Sequence, residues 1–271
     1  MSPTTMTNLS EPSSDECSNP SISIDDCHTG DGNYCMRRNK VQFVVTGFGP
    51  FQGVPTNPTT AIVQQLSAQP SSSADAKSSK NISLSYTVVK THIFATAAET
   101  VQKELNCLYH ELLQTVNYDT ITIIMHVGVH KGTQFHLEKN AYNDATFRIP
   151  DEQGYQPQQV KIIPNEELGT CHETSLPIEN ICRELSLSSS YPVVASTNPG
   201  RFVCNYTYCL SAAQCENIQK EHWTCAKENK RIFHSLFVHV PKFSVIPMEE
   251  QMKFLYDLME VITKQLVLSI V

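Results

Sequence analysis

The sequence predicts an α/β fold: a single domain on an open, mostly parallel twisted sheet with helices on both faces. Three observations predict it. Short apolar, β-branched runs recur along the chain, and several end in Gly or Pro. Segments with apolar residues at three- and four-residue steps lie between them. Such alternation needs crossover connections, which make the strands parallel and cover both faces with helices.

Val41-Gln42-Phe43-Val44-Val45-Thr46-Gly47 reads as the first buried strand. Pro58 to Leu66 reads as a helix, and Ile82 to Val89 as a second strand. Thr96 to Leu113 is a longer helix, with Val101, Leu105, Leu108 and Leu112 on one stripe. Thr120 to Gly128 is a third strand, and Ile178 to Leu185 a short helix. Pro192 to Ser196 is a fourth strand; helical character follows from Tyr206 to Ala213. Ser235 to Pro241 is the fifth strand. The last helix starts near Pro247, a residue suited to a first helical position, and carries the stripe Met252, Leu255, Met259, Ile262, Leu266.

Residues 1–39 are rich in Ser, Thr, Asn, Asp and Pro. They cannot bury enough apolar surface to offset their ordering entropy, so a disordered extension is expected before a domain at 40–271. Ala68 to Lys80 reads as a surface loop. The 271 residues carry a formal charge of −7 with no sustained Lys/Arg cluster, which argues against a nucleic-acid partner. The first residues lack the basic and apolar regions of a signal peptide. No apolar run reaches the roughly 20 residues of a membrane span. A cytosolic protein without a membrane partner is expected, with its ten cysteines reduced. Cys204, Cys209, Cys215 and Cys225 form no C-x-x-C pair, and His126 and His130 lie in a strand and its exit. No metal and no cofactor are expected. The sequons at Asn8, Asn81 and Asn205 read as chance matches.

In open α/β folds, sites form at the carboxyl ends of strands. That rule gathers the Gly47 loop, the Gly128 loop, the Gly200 turn and the exit of the His239 strand. Cys204 follows a strand and a Pro-Gly turn and opens a helix. A helix start offers unpaired N–H groups and partial positive charge, an environment that suits a thiolate. A nucleophilic cysteine needs a base, and the base needs an orienting carboxylate. His239, the last polar residue of its strand, is the candidate base; a core histidine satisfied by backbone is the competing reading. His234 and His222 look exposed, while spacing does not exclude His92, His126, His130, His136 or His172. Glu138, in a loop after the third strand, is the candidate acid, although a loop Glu is ordinarily only solvated. Phe48 and Phe51 suggest aromatic walls for a small apolar ligand, or else fill core.

Four blocks carry a resemblance. They are Thr46-Gly47-Phe48 with Pro50-Phe51 and Asn57-Pro58; His126-Val127-Gly128-Val129 with Leu137-Glu138-Lys139; Arg148-Ile149-Pro150-Asp151 with Gly154 and Gln156-Pro157; and Gly200 to Asn205 with Phe237 to Pro241. Together and in order they resemble the pyroglutamyl-peptidase I (pyrrolidone-carboxylate peptidase) family of cysteine peptidases over about residues 41–271. The resemblance implies the nucleophile at Cys204, the histidine at His239 and the acid at Glu138. It implies a pocket for the lactam ring of an N-terminal pyroglutamate, walled by Phe48, Phe51 and Phe202. Thr91, Ile149 and Val203 would line it further, Asn57 would add a polar contact, and Arg148 would assist the oxyanion. The partners implied are peptides with an N-terminal pyroglutamate. Departures are Val129 where many bacterial members have Gln, a Glu138 loop of different length, and a longer Gln214–Arg231 stretch. The Gln214–Arg231 stretch and the N-terminal extension leave open whether the protein is a monomer or a homo-oligomer. The alternatives are a non-catalytic lactam-binding module and another α/β cysteine amidohydrolase.

Overall fold

The computed structural model describes residues 40–68, 85–115, 120–189, 191–223 and 232–268. The expected disordered extension and the Ser-rich stretch after Ala68 lie outside the described residues.

Among the described residues the chain runs β1 (Lys40–Phe48), α1 (Pro58–Ala68), β2 (Tyr86–Phe94), α2 (Ala98–Thr115), β3 (Thr120–Val129), β4 (Phe135–Glu138), β5 (Asn140–Tyr142) and β6 (Cys171–Glu173). It continues through α3 (Ile178–Ser189), β7 (Val193–Ser196), α4 (Val203–Trp223), β8 (Ile232–Val240) and α5 (Met248–Leu268). The main sheet has the order β2-β1-β3-β8-β4-β7, and β5 pairs with β6 apart from it. β2, β1, β3 and β8 are parallel. β4 runs antiparallel to β8, and β7 parallel to β4.

Alternate side chains of each strand feed two cores, as the period of two requires. Val41, Phe43 and Val45 of β1 and Leu236, Val238 and Val240 of β8 meet α1, α3 and α5. Val44 and Phe237 belong to the other core, with α2 and α4. The predicted stripes of α2 and α5 are both buried. Phe135 of β4 stacks on Phe254 of α5 with ring centroids 3.7 Å apart, which anchors the reversed strand to the helix layer.

Three expectations need correction. Glu138 does not lie in a loop: it ends β4 and is fully buried. Four residues with only Phe135 and Leu137 apolar are too short a pattern to read as a strand. His234 is not exposed, since it lies within β8, 8% accessible, with Nδ1 2.7 Å from Ser175 Oγ. The Gly200 turn does follow a strand, β7, but β7 runs against β1, β3 and β8, so its carboxyl end is not at the crevice. β7 starts level with the crevice end of β8 and leaves at Ser196, opposite Glu138, which in turn faces Phe237. A connection from Thr197 to Phe202 must therefore carry the chain to α4. Gly200 in this connection has φ 78°, a conformation that glycine adopts without the Cβ clash of other residues. α4 itself runs to Trp223, so much of the Gln214–Arg231 stretch is helix, and 224–231 lie outside the described residues.

Candidate active site

The site is built on β8. Every position from Phe233 to Val240 is buried, so a histidine at 239 has little solvent to satisfy it. His239 and Phe237 project to the α4 face, where β4 faces them with His136 and Glu138. His239 Nδ1 donates to Glu138 Oε1 at 2.7 Å. The Cys204 side chain lies close enough to the same ring to act on it electrostatically, and both border one cavity. Burial alone would push the His239 ring down. The adjacent Cys204 side chain and the hydrogen bond to Glu138, with the charges of both, more than reverse this and raise it to about 9. The other carboxylate oxygen, Glu138 Oε2, is buried without a hydrogen-bond partner.

Cys204 is the second residue of α4, in the turn whose N–H groups have no intrahelical partner. Its sulfur lies over β3 at Gly128. A Cβ on Gly128 would stand 3.1 Å from Cys204 Sγ and 2.7 Å from Phe237 ring carbons. Only a hydrogen fits there. The start of α4 is tied to the neighbouring segment by Asn205, which is fully buried. Asn205 Oδ1 accepts from the Tyr142 N–H at 2.9 Å, and Nδ2 donates to the Tyr142 and Asp144 carbonyls at 2.9 and 3.0 Å. The Arg201 guanidinium lies 4.1 Å over the Tyr142 ring and pairs with Asp144 at 3.4 Å.

A cavity of about 640 Å³ opens beside Cys204 and His239. Phe51, Arg148, Ile149 and Phe202 line it. Phe51 and Phe202 face each other with centroids 6.0 Å apart, and Phe147 backs Phe202 at 4.9 Å. The remaining predicted lining residues stand elsewhere. Phe48 is buried in the core between Phe94 and Phe237, each 6.1 Å away. Val203 is fully buried beside the nucleophile position. Asn57 caps α1: its Oδ1 accepts from the Thr59 N–H at 3.1 Å, and its Nδ2 donates to the Gly49 carbonyl at 2.9 Å. Thr91 lies on the edge strand β2 opposite Val45, away from the cavity.

His130 was one of several histidines that spacing left open. It lines the cavity, its ring centroid 5.6 Å from His239 and 4.4 Å from His136. Burial, and then the His239 charge, lower it to about 4, so it stays neutral. Asn205 was missed, because its sequon and helix-start position say nothing about a carbonyl sixty residues away.

Fold and site define a class, the α/β proteins equipped for cysteine-based hydrolysis: a thiol on a helix start, an imidazole and a buried carboxylate share one crevice. The family described as pyroglutamyl peptidase matches residues 41–247. The chain belongs to the pyroglutamyl peptidase family and is a cysteine-type peptidase acting at an N-terminal pyroglutamyl residue. The pyrrolidone-carboxylate peptidase of Pyrococcus furiosus is 28% identical over 202 residues, 74% of this chain and 81% of its own. That of Enterococcus faecalis is 31% identical over 165 residues, 61% of this chain and 67% of its own. Among solved structures, the pyrrolidone carboxyl peptidase of Fervidobacterium islandicum superposes with a TM-score of 0.60 at 25% identity, covering 83% of this chain and 99% of its own. The Pyrococcus furiosus structure gives 0.63 at 23% identity with the same coverage. No described helix is long and apolar enough to cross a membrane.

Proposed function

We propose that Cys204, His239 and Glu138 are the catalytic residues of this hydrolysis. The observation that carries the reading is buried Glu138 hydrogen-bonded to His239, with Cys204 beside the same ring and both opening on an aromatic-walled cavity. The Cys204 thiolate attacks the pyroglutamyl carbonyl carbon and forms a tetrahedral oxyanion. First-turn N–H groups of α4, with Arg148, stabilise that charge; each well-placed donor is worth about 3 kcal/mol of barrier. The C–N bond then breaks, and His239 gives its proton to the departing amine. Water attacks the thioester, His239 takes its proton, and free pyroglutamate leaves with Cys204 restored. Glu138 fixes the ring orientation and stabilises the imidazolium throughout.

Phe51, Phe202 and Ile149 hold the lactam ring. Phe147 backs the Phe202 wall, Phe48 packs against Phe237 beneath the site, and Asn57 holds the Gly49 backbone in place. Thr91 is too remote for direct contact. Val129 lines the cavity with an aliphatic side chain, so it can give the lactam packing but no hydrogen bond. The aromatic slot of Phe51, Phe202 and Ile149 suits a neutral lactam and penalises a free N-terminal ammonium, which would be desolvated there and repelled by Arg148, Lys131 and Lys242 at the cavity wall. The described cysteines are all free thiols, a state that a reducing compartment maintains, so we also propose a cytosolic enzyme.

The test is release of a fluorogenic amine from a pyroglutamyl conjugate. Cys204→Ser should abolish it, and undiminished turnover would remove the nucleophile assignment. A glutaminyl conjugate with a free amino group should be cleaved at least a hundredfold more slowly; equal rates would refute the lactam slot.

A further inference from the structure

The cavity wall has a charge the reaction does not use. Lys131 and Lys242 line it, and its lining includes no Asp or Glu, although the whole chain carries −7. Ion pairs among the described residues take up Lys90, Lys139, Arg201, Lys220 and Lys264, and none takes up Lys131 or Lys242. The nearby Glu152 carboxylate accepts from the Gln52 N–H at 3.1 Å and does not line the cavity. Two exposed lysines thus border the cavity with no ion pair among the described residues.

Their place in the fold is set by paired strands. Val129 of β3 is in register with Val240 of β8, and the His130 N–H donates to the Val240 carbonyl at 3.0 Å. Lys131 and Lys242 follow directly on these two strand ends. The Lys242 carbonyl accepts from the Val245 and Ile246 N–H groups at 2.8 and 3.1 Å, which fixes its turn. His130 Nε2 lies 2.8 Å from the Gln134 carbonyl, which fixes the loop carrying Lys131. Both lysines therefore stand just past the ends of β3 and β8, the latter carrying His239, and border the same cavity as Phe51 and Phe202.

The leaving amine must lie within reach of His239, because His239 protonates it. The departing peptide then passes Lys131 and Lys242. We propose that Lys131 and Lys242 form a leaving-group subsite that selects pyroglutamyl substrates bearing a carboxylate just beyond the scissile bond. This rests on the hydrolase reading above. The carboxylate has two sources: the C-terminus of a very short peptide, or an acidic side chain. Exposed ion pairs of this kind are worth about twofold to fivefold each, so the pair is worth about tenfold at low salt and less at high salt.

The experiment compares kcat/KM for matched substrates at low and high salt. One arm sets pyroglutamyl-alanine acid against its amide; the other sets pyroglutamyl-glutamate amide against pyroglutamyl-glutamine amide. We expect the charged member to be favoured about fivefold to tenfold in at least one arm, and that arm names the source. The ratio should fall towards one with salt and in the Lys131→Gln, Lys242→Gln double variant, and persist in Lys131→Arg, Lys242→Arg. Because each ratio is taken within one variant, partial loss of folded protein cancels. A ratio of one in both arms for the unaltered enzyme overturns the proposal, as does a ratio that survives the double Gln substitution. Failure of the unaltered enzyme to cleave an uncharged pyroglutamyl-coumarin conjugate overturns the hydrolase reading itself, a separately visible result.

Discussion

A methyl group at Gly128 probes how tightly Cys204, the proposed nucleophile, is seated. In Gly128→Ala the new Cβ would stand 2.7 Å from two Phe237 ring carbons and 3.1 Å from Cys204 Sγ. Carbon atoms rest at about 3.5–4.0 Å, so the overlap with the ring is about 1 Å. The ring has nowhere to move. Phe237 is fully buried, with centroids 6.1 Å from Phe48 and His126, 5.8 Å from Tyr208 and 4.8 Å from His239. Relief must come from β3 or from the start of α4, and each route shifts Cys204 relative to His239. Overpacking of this size costs about 1–3 kcal/mol. For a domain of this length that lowers Tm by about 2–10 °C. A displacement of about 1 Å at the reacting sulfur costs about a hundredfold in kcat/KM. Both are read with a pyroglutamyl-coumarin substrate and a thermal melt. Gly49→Ala is the comparison, since its Cβ would meet nothing nearer than Phe94 O at 3.6 Å, and it should keep activity within about twofold. A Gly128→Ala enzyme with unaltered kcat/KM would refute the close seating of Cys204 over β3.

Glu138→Gln keeps the shape but removes the charge that holds the His239 proton; kcat should fall about a thousandfold while the protein remains folded by circular dichroism. Asn205→Ala removes three buried hydrogen bonds to Tyr142 and Asp144. It should cost about 2–4 kcal/mol in urea unfolding and raise KM, because the segment leading to Arg148 and Ile149 loses its tie to α4. Acid should destabilise the fold. Burial lowers His126 to about 3 and His234 to about 4, so unfolding lets each bind a proton below about pH 6.5. Their stability is present above pH 6.5 and is lost as pH falls towards 4, about 2 kcal/mol each at pH 5. His239 has the opposite sign: its raised value adds stability below pH 6.5 that fades as pH rises through 9, and it returns about 1 kcal/mol between pH 7 and 5. The urea midpoint should therefore drop from pH 7 to 5 by the equivalent of at least about 3 kcal/mol, with half-buried His130, also lowered to about 4, adding to the loss; the drop should be smaller in His234→Asn, and an unmoved midpoint contradicts the neutral buried histidines.

Strong periodicity made most of the fold legible. α2 and α5 bury the stripes read from their sequences, and β1, β3 and β8 are continuous apolar runs because parallel strands are covered on both faces. α4 was read short. Its packed residues include Cys209, Ala212 and Cys215, too small to stand out as an apolar stripe. β4 was missed because four residues with a His and a Glu on one face carry no strand signal. Its reversal could not be read at all, since strand direction depends on pairing and not on local propensity. The same reversal decides the site: it places Glu138 diagonally across from His239 and makes a carboxylate that looked solvated fully buried. Chemistry at segment ends made Cys204 and His239 candidates, and the four blocks singled out His239 among the open histidines; both border the cavity. The pocket was legible only in part. Phe51 and Phe202 face the cavity, but Phe48, two residues from a turn like Phe51, points into the core, a choice set by strand alternation beyond the Gly47 position.

The most direct measurement is acid quench of the enzyme during turnover of a pyroglutamyl peptide, followed by mass spectrometry of the Cys204 peptide. A pyroglutamyl thioester on Cys204, absent from the exposed thiols Cys107 and Cys171, is the predicted result. Undiminished turnover by Cys204→Ser with no acyl group on any cysteine would contradict it.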